Sequence, residues 1–222
     1  MTDCLLFDVD GTLVDTNFLH TVAWHRAFLR FDLVVPNWRI HRAIGMGGDQ
    51  LVPALVGEKT EADIGDKIRQ AWADEYQPLI EQVRPFEGAH RLLAEAASND
   101  VVVVLASSGP PDHVEHYIDL LDARDIAAAW TTSEDVSETK PAPELLEVAL
   151  GKVSVERASV VGDSVWDCDA ASRSGLPSVG TLTGGTSRAE LIEHGAVSVY
   201  EHLDQLRADL NDLPYVRLDE TA

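Results

Sequence analysis

The chain has 222 residues, 45% hydrophobic and 25% charged. That composition suits one large domain, or a core with a smaller companion, and excludes a collagen-like, mucin-like or largely disordered chain. Its 17 Lys and Arg against 38 Asp and Glu give a formal charge of −21, which repels nucleic-acid backbones and anionic membrane surfaces and leaves any phosphate site dependent on a metal ion or a few placed cations.

Near the start, Cys4-Leu5-Leu6-Phe7 reads as a buried strand that runs into the turn Asp8-Val9-Asp10-Gly11. Two carboxylates two residues apart point the same way if the strand continues, and they repel unless a cation or a shared proton intervenes. An Asp-rich turn and a catalytic or metal-binding pair both fit. A calcium loop does not, because the glycine stands fourth rather than sixth and no later bidentate Glu follows.

Residues 16–82 show helical spacing, with Phe18, Val22, Phe28 and Phe31 on one stripe and Ile64, Ile68, Ala71, Trp72, Glu75 and Leu79 on another. At Pro85-Phe86-Glu87-Gly88 the pattern changes to alternating helices and strands. It opens with a helix around 90–97 and a strand over 101–107, and further strands are expected at 128–131, 159–162, 178–181 and 197–200. This rhythm predicts a parallel sheet, with a core of 1–15 and 85–222 interrupted by a helical insert of 16–84. The tail, 211–222, reads as loosely structured.

Three more segments fall just past strand ends, where parallel α/β sheets bind ligands. Ser107-Ser108-Gly109 offers a hydroxyl and backbone N–H groups to a phosphoryl oxygen, or an ordinary serine cap to the next helix. Lys140 precedes Pro141-Ala142-Pro143-Glu144 and looks exposed; a lone lysine is also a common surface charge. Gly162-Asp163-Ser164-Val165-Trp166-Asp167 again sets carboxylates after an apolar strand. Cys4 and Cys168 lie in no metal-ligand spacing and read as buried free thiols. The longest apolar run, 101–106, is far short of the ~18 residues of a membrane helix. No basic region precedes the apolar stretch near Met1, so the expected location is the cytoplasm, with neither membrane nor nucleic acid as partner.

Taken in order, the four segments resemble the haloacid dehalogenase-like hydrolase superfamily, in particular its members with a helical cap inserted after the first motif, such as phosphoglycolate phosphatase and β-phosphoglucomutase. The resemblance covers nearly the whole chain. It implies a Rossmann-like parallel sheet flanked by helices, an inserted helical-bundle cap, and a Mg²⁺-dependent phosphatase acting on a small phosphorylated metabolite through an aspartyl-phosphate. On this reading Asp8 is the nucleophile and Asp10 the general acid and base. Mg²⁺ is held by Asp8, by Asp10 through its backbone carbonyl, and by Asp163, with Asp167 supporting the metal or orienting Lys140. Ser107, Ser108 and Lys140 bind the phosphoryl group.

From the cap, His20 and Trp24 resemble a His-xxx-Trp pattern of members acting on sugar phosphates, and Gly47 and Gly48 lie in the loop that reaches the site; His20 and Trp24 also suit plain packing. The assembly is expected to be a monomer or homodimer. A β-phosphoglucomutase-type mutase is the alternative, but Gly162 stands where that pattern has Glu and no Arg stands near Gly48, unless Arg39 or Arg42 substitutes. A dehalogenase lacks the second Asp that Asp10 supplies, and a phosphonate hydrolase needs a cap lysine that 16–58 does not contain.

Overall fold

In the computed structural model, which describes residues 2–218, the strand β1 (Asp3–Phe7) is followed by four helices, α1 (Asn17–Leu29), α2 (Asn37–Ala43), α3 (Gly48–Val56) and α4 (Glu58–Tyr76). The chain then alternates: α5 (Ala89–Ser98), β2 (Val101–Ala106), α6 (Pro111–Leu120), β3 (Ala129–Thr131), α7 (Glu144–Gly151) and β4 (Arg157–Gly162). It continues through α8 (Val165–Arg173), β5 (Ser178–Thr181), α9 (Arg188–Glu193), β6 (Ala196–Tyr200), α10 (Leu203–Ala208) and the short β7 (Val216–Arg217).

Six strands form a parallel sheet in the order β3-β2-β1-β4-β5-β6. The alternation of side chains explains why β1 reads as a continuous apolar run. Leu5 and Phe7 enter one cluster, with Leu92 and Leu93 of α5 and Val114 of α6, while Cys4 and Leu6 enter another, with Leu146 of α7 and Ala170 of α8. A strand covered on both faces has no place for alternating polar residues. The expected strands all form, each within a residue or two of its predicted limits.

Two expectations are corrected. The sequence predicts a loosely structured tail from 211, yet β7 pairs antiparallel with the start of β4, Val216 against Ala158 and Arg217 against Arg157. The Arg157 guanidinium lies 5.6 Å over the Tyr215 ring, and Leu213 is buried; residues 219–222 lie outside the described ones. The stripe drawn through Phe18 and Val22 is wrong as well, since these are 62% and 40% exposed while Asn17, His20, Thr21, Trp24 and Phe28 of α1 are buried. Ten residues of helix turn Phe28 about 80° away from Phe18, and the inward face carries polar groups because it meets the carboxylates described below.

The four helices have a cluster of their own, built on Trp24, Phe28, Ile40, Leu51, Val52 and Ile68. The chain enters and leaves this insert side by side: Val14 bridges Pro85, and Asp15 N–H donates to Arg84 O at 2.9 Å. Beyond the end of α4, Leu79 and Ile80 pack into the cluster of the sheet.

Candidate active site

Where β1 ends, Asp8 N–H still donates to Val161 O of β4 at 2.9 Å, so the strand's direction carries the Asp8 side chain past the edge of the sheet. The chain then turns sharply at Gly11, whose φ of +80° an L side chain rarely adopts. That turn brings the Thr12 hydroxyl between two carboxylates, 2.9 Å from Asp8 Oδ2 and 2.8 Å from Asp163 Oδ1. Asp163 follows β4, and its other oxygen accepts from Asn17 Nδ2 at 2.9 Å.

Lys140 is a correction to the exposed reading: it is 2% exposed. Its ammonium donates to Asp8 Oδ1 and lies 2.7 Å from Asp167 Oδ1. The other Asp167 oxygen accepts from Ser164 N–H at 3.1 Å and from its hydroxyl at 2.6 Å, so the first turn of α8 aims the carboxylate at the lysine. Burial disfavours the Lys140 charge, but the adjacent Asp167 and Asp8 carboxylates overcome it and hold the ammonium above its ordinary range.

Oxygens of Asp8, Asp163 and Asp167 all come within 4.8 Å of one another, and all three residues are buried. One lysine against three carboxylates leaves negative charge uncompensated. Burial pushes the Asp8 carboxyl up to about 7 against the pull of Lys140, the Asp167 charge adding to the rise. Burial likewise raises Asp163 well above the carboxylate range, with the Asp8 and Asp167 charges, against the hydrogen bonds from Thr12 and Asn17. Hard, anionic oxygens in excess of their cation are the donor set that suits a divalent metal ion such as Mg²⁺.

The Asp10 carboxylate stands outside this group and takes a different partner. Its Oδ1 lies 3.0 Å from His20 Nε2, and although burial works to raise its pKa, the His20 hydrogen bond and charge hold it below the ordinary carboxylate value. Tyr76 stacks on the His20 ring at 4.0 Å, and its hydroxyl lies 2.7 Å from that of Tyr117. Asp8, Asp10, His20, Trp24, Gly47, Gly48 and Ser108 line a single cavity of about 360 Å³ between the helical insert and the strand ends.

The two serines separate. Ser108 lines that cavity, whereas Ser107 is buried and its Oγ accepts from Gly109 N–H at 3.0 Å, leaving its proton to donate elsewhere. Neither caps α6, which begins at Pro111 after Pro110. The insert meets the core beside Lys140, where Gly47 N–H donates to Thr139 Oγ1 at 3.0 Å and the Thr139 hydroxyl donates to Asp49 Oδ1 at 2.5 Å. Of the two arginines considered near the Gly45-Met46-Gly47-Gly48 loop, Arg42 pairs with Glu190 and Arg39 is exposed.

Sequence reasoning missed Thr12 and Asn17 as hydrogen-bond partners of Asp163. It also missed Asp49, Arg69, Trp72, His113 and Thr139 on the cavity wall. Thr12 could have been flagged by its place in the first motif; the others carry no local signal.

A family model described as haloacid dehalogenase-like hydrolase matches residues 5–181. A validoxylamine A 7′-phosphate phosphatase from Streptomyces hygroscopicus subsp. limoneus is 27% identical over 180 residues, covering 80% of this chain and 84% of that protein. A phosphoglycolate phosphatase from Yersinia pseudotuberculosis is 29% identical over 198 residues, with 84% and 83% covered. The crystal structure of a hydrolase from Pseudomonas syringae superposes with a TM-score of 0.89 at 31% identity, over 95% of this chain and 99% of that one.

Proposed function

This chain belongs to the haloacid dehalogenase-like hydrolase family, and from that premise we propose that it hydrolyses a small phosphate monoester with Mg²⁺, through an aspartyl-phosphate on Asp8. As a phosphoric monoester hydrolase it needs a nucleophile, an acid and base, and compensation for a phosphate dianion. The observation that carries the reading is that Asp8 and Asp10, two residues apart, meet opposite surroundings: Asp8 lies in contact with Lys140 and beside Asp163, Asp10 against His20 at the cavity wall.

In this mechanism an Asp8 oxygen attacks phosphorus in line with the leaving alcohol. A proton held between Asp10 and His20, 3.0 Å apart, passes through Asp10 to that alcohol, and the pair then takes one from the water that hydrolyses the acyl phosphate. Lys140, locked between Asp8 and Asp167, holds a positive charge beside the transferring group, and the Ser107 and Ser108 loop offers hydroxyl and backbone donors to its oxygens. Asp8, Asp163 and the Asp10 backbone carbonyl would hold Mg²⁺, with Asp167 in support; the ion supplies compensation of the phosphate charge. The insert, 16–84, acts as a cap on the core of 1–15 and 85–222, swinging about the paired crossings at Val14 and Pro85 and excluding water when Gly47 and Asp49 engage Thr139.

The deciding experiment measures inorganic phosphate released from a panel of monoesters with Mg²⁺ and with chelator, using wild type and Asp8→Asn. Metal-dependent release by the wild type alone is the expected result. Isomerisation of β-glucose 1-phosphate faster than phosphate release would instead favour the mutase.

A further inference from the structure

The helical side of the cavity holds one Lys or Arg among the described lining residues, Arg69 of α4. It lies 21 residues beyond Gly48 in sequence, and its aliphatic stem lies across that glycine. A guanidinium there is well placed to hold a second anionic group of a substrate. In this chain, however, its donors are already engaged. Nη1 donates to Glu61 Oε2 at 2.9 Å and to Gly48 O at 3.2 Å, while Nη2 lies 2.8 Å from Glu61 Oε1 and donates to Asp66 Oδ1 at 2.7 Å. Of the five N–H groups only Nε–H is left.

The local sequence is built for this lock. Glu61 and Arg69 are eight residues apart on one helix, about 12 Å along its axis, and the carboxylate must lie flat over the intervening turn to reach the guanidinium. The residue under it is Gly65, and a Cβ there would overlap the Glu61 carboxylate. Glycine in the middle of a helix is a cost against alanine, and here it makes room for the pair.

The remaining wall suits an uncharged polyol. Trp24 and Trp72 stack at 5.2 Å, giving an aromatic surface for the apolar face of a sugar ring, and the buried indole N–H of Trp72 has no protein partner. Asp49, Ser133 and Ser137 line the same space. Glu61 and Asp66 neutralise the guanidinium from outside the cavity and Asp49 adds a carboxylate on its wall, so a second anion would meet a cation that is already paired.

Resting on the phosphatase reading above, we propose that the cavity selects the monophosphate of an uncharged polyhydroxylated skeleton, a sugar or polyol. It discriminates against esters with a second anionic group because the Glu61–Arg69–Asp66 lock withholds the cation that would receive one. Arg69 is thereby a specificity-determining residue, restrained by its own helix.

The test uses matched pairs that differ in one anionic group: glucose 6-phosphate with 6-phosphogluconate, fructose 6-phosphate with fructose 1,6-bisphosphate, and glycerol 3-phosphate with 3-phosphoglycerate. The uncharged-tail member should lead in kcat/KM by at least about tenfold in the pairs that are turned over, since like-charge juxtaposition is strongly unfavourable. The same order should hold for Kd measured by calorimetry on the Asp8→Asn protein with Mg²⁺. Gly65→Ala, which displaces Glu61 without altering charge, and Glu61→Gln should each narrow the ratio to within about threefold by improving the anionic member. Equal or reversed preference in the wild type, a ratio unmoved by both variants, or binding of no member of any pair overturns the proposal. Hydrolysis of p-nitrophenyl phosphate, run alongside, tests the phosphatase reading separately: its absence refutes that reading, while the Kd order still decides this one.

Discussion

Asp8 and Asp10 share a residue type and a turn, and their partners divide their roles. Asp8 is in contact with a buried ammonium, so it keeps an anionic oxygen for attack when metal is bound; Asp10 has a histidine and an opening to the cavity, through which a proton can pass. Asp8→Asn should therefore abolish turnover with the fold intact, and a steady-state rate above about a tenth of wild type would falsify its role as nucleophile. Asp10→Asn should lower kcat by about 10²–10⁴ while an activated ester with a good leaving group is spared in the first step, which burst kinetics can resolve. A third residue-scale prediction concerns His113, whose pKa burial lowers. A histidine that is harder to protonate in the fold than in the unfolded chain stabilises the protein fully above its unfolded pKa of about 6.5, and that contribution is lost as pH falls towards the depressed folded value. The urea midpoint of the wild type should drop more steeply between pH 7 and 5 than that of His113→Gln. Parallel pH profiles would show that another group governs the loss.

At the scale of the element, the helical insert is held by its own apolar centre, and α4 has two functions along its length. Ile68 is fully buried in that centre, while Arg69 beside it in sequence faces the cavity and Tyr76 at its end covers His20. Ile68→Ala removes buried methyl groups from a closed cluster and should cost about 2–5 kcal/mol, measured by urea denaturation. A loss below about 1 kcal/mol would mean that the insert is loosely packed and that α4 is oriented by its polar contacts instead. The β1 strand, by contrast, owes its place to burial on both faces, and its terminus is consequently a rigid platform for Asp8.

For the whole molecule the governing quantity is charge. A protein of formal charge −21 buries three converging carboxylates beside one lysine, so the fold without metal carries repulsion that a divalent cation relieves. Mg²⁺ should accordingly raise the melting temperature, corresponding to about 2.7 kcal/mol at a hundredfold excess over its Kd. Asp163→Ala should remove both that increment and the activity. A shift that is the same in Asp163→Ala as in wild type would place the ion elsewhere on the acidic surface. Among the described residues no helix is long and apolar enough to cross a membrane.

Much of this molecule is legible along the chain because its information is local. Apolar runs mark strands buried on both faces, turn residues mark their ends, and Asp8, Asp10, Asp163 and Asp167 sit within a few residues of those ends, so the sheet and four carboxylates follow from pattern alone. Other features arise between segments far apart in sequence and depend on strand order and helix rotation. The resemblance assigns Lys140 to the site, but residue pattern alone reads it as a surface charge; only when β1 and β4 lie side by side do Asp8 and Asp167, 132 and 27 positions away, surround its ammonium. Hydrophobic periodicity counts Asn17, His20 and Thr21 as outward, yet they form part of the buried side of α1. Asp49 and Thr139 are joined only when the insert folds back on the core, and Arg69 reaches Gly48 only when α4 packs on α3. Local burial preference therefore determined the scaffold and the positions of its acidic groups, while the pairing of charges, which depends on distances through space, was decided by the tertiary structure.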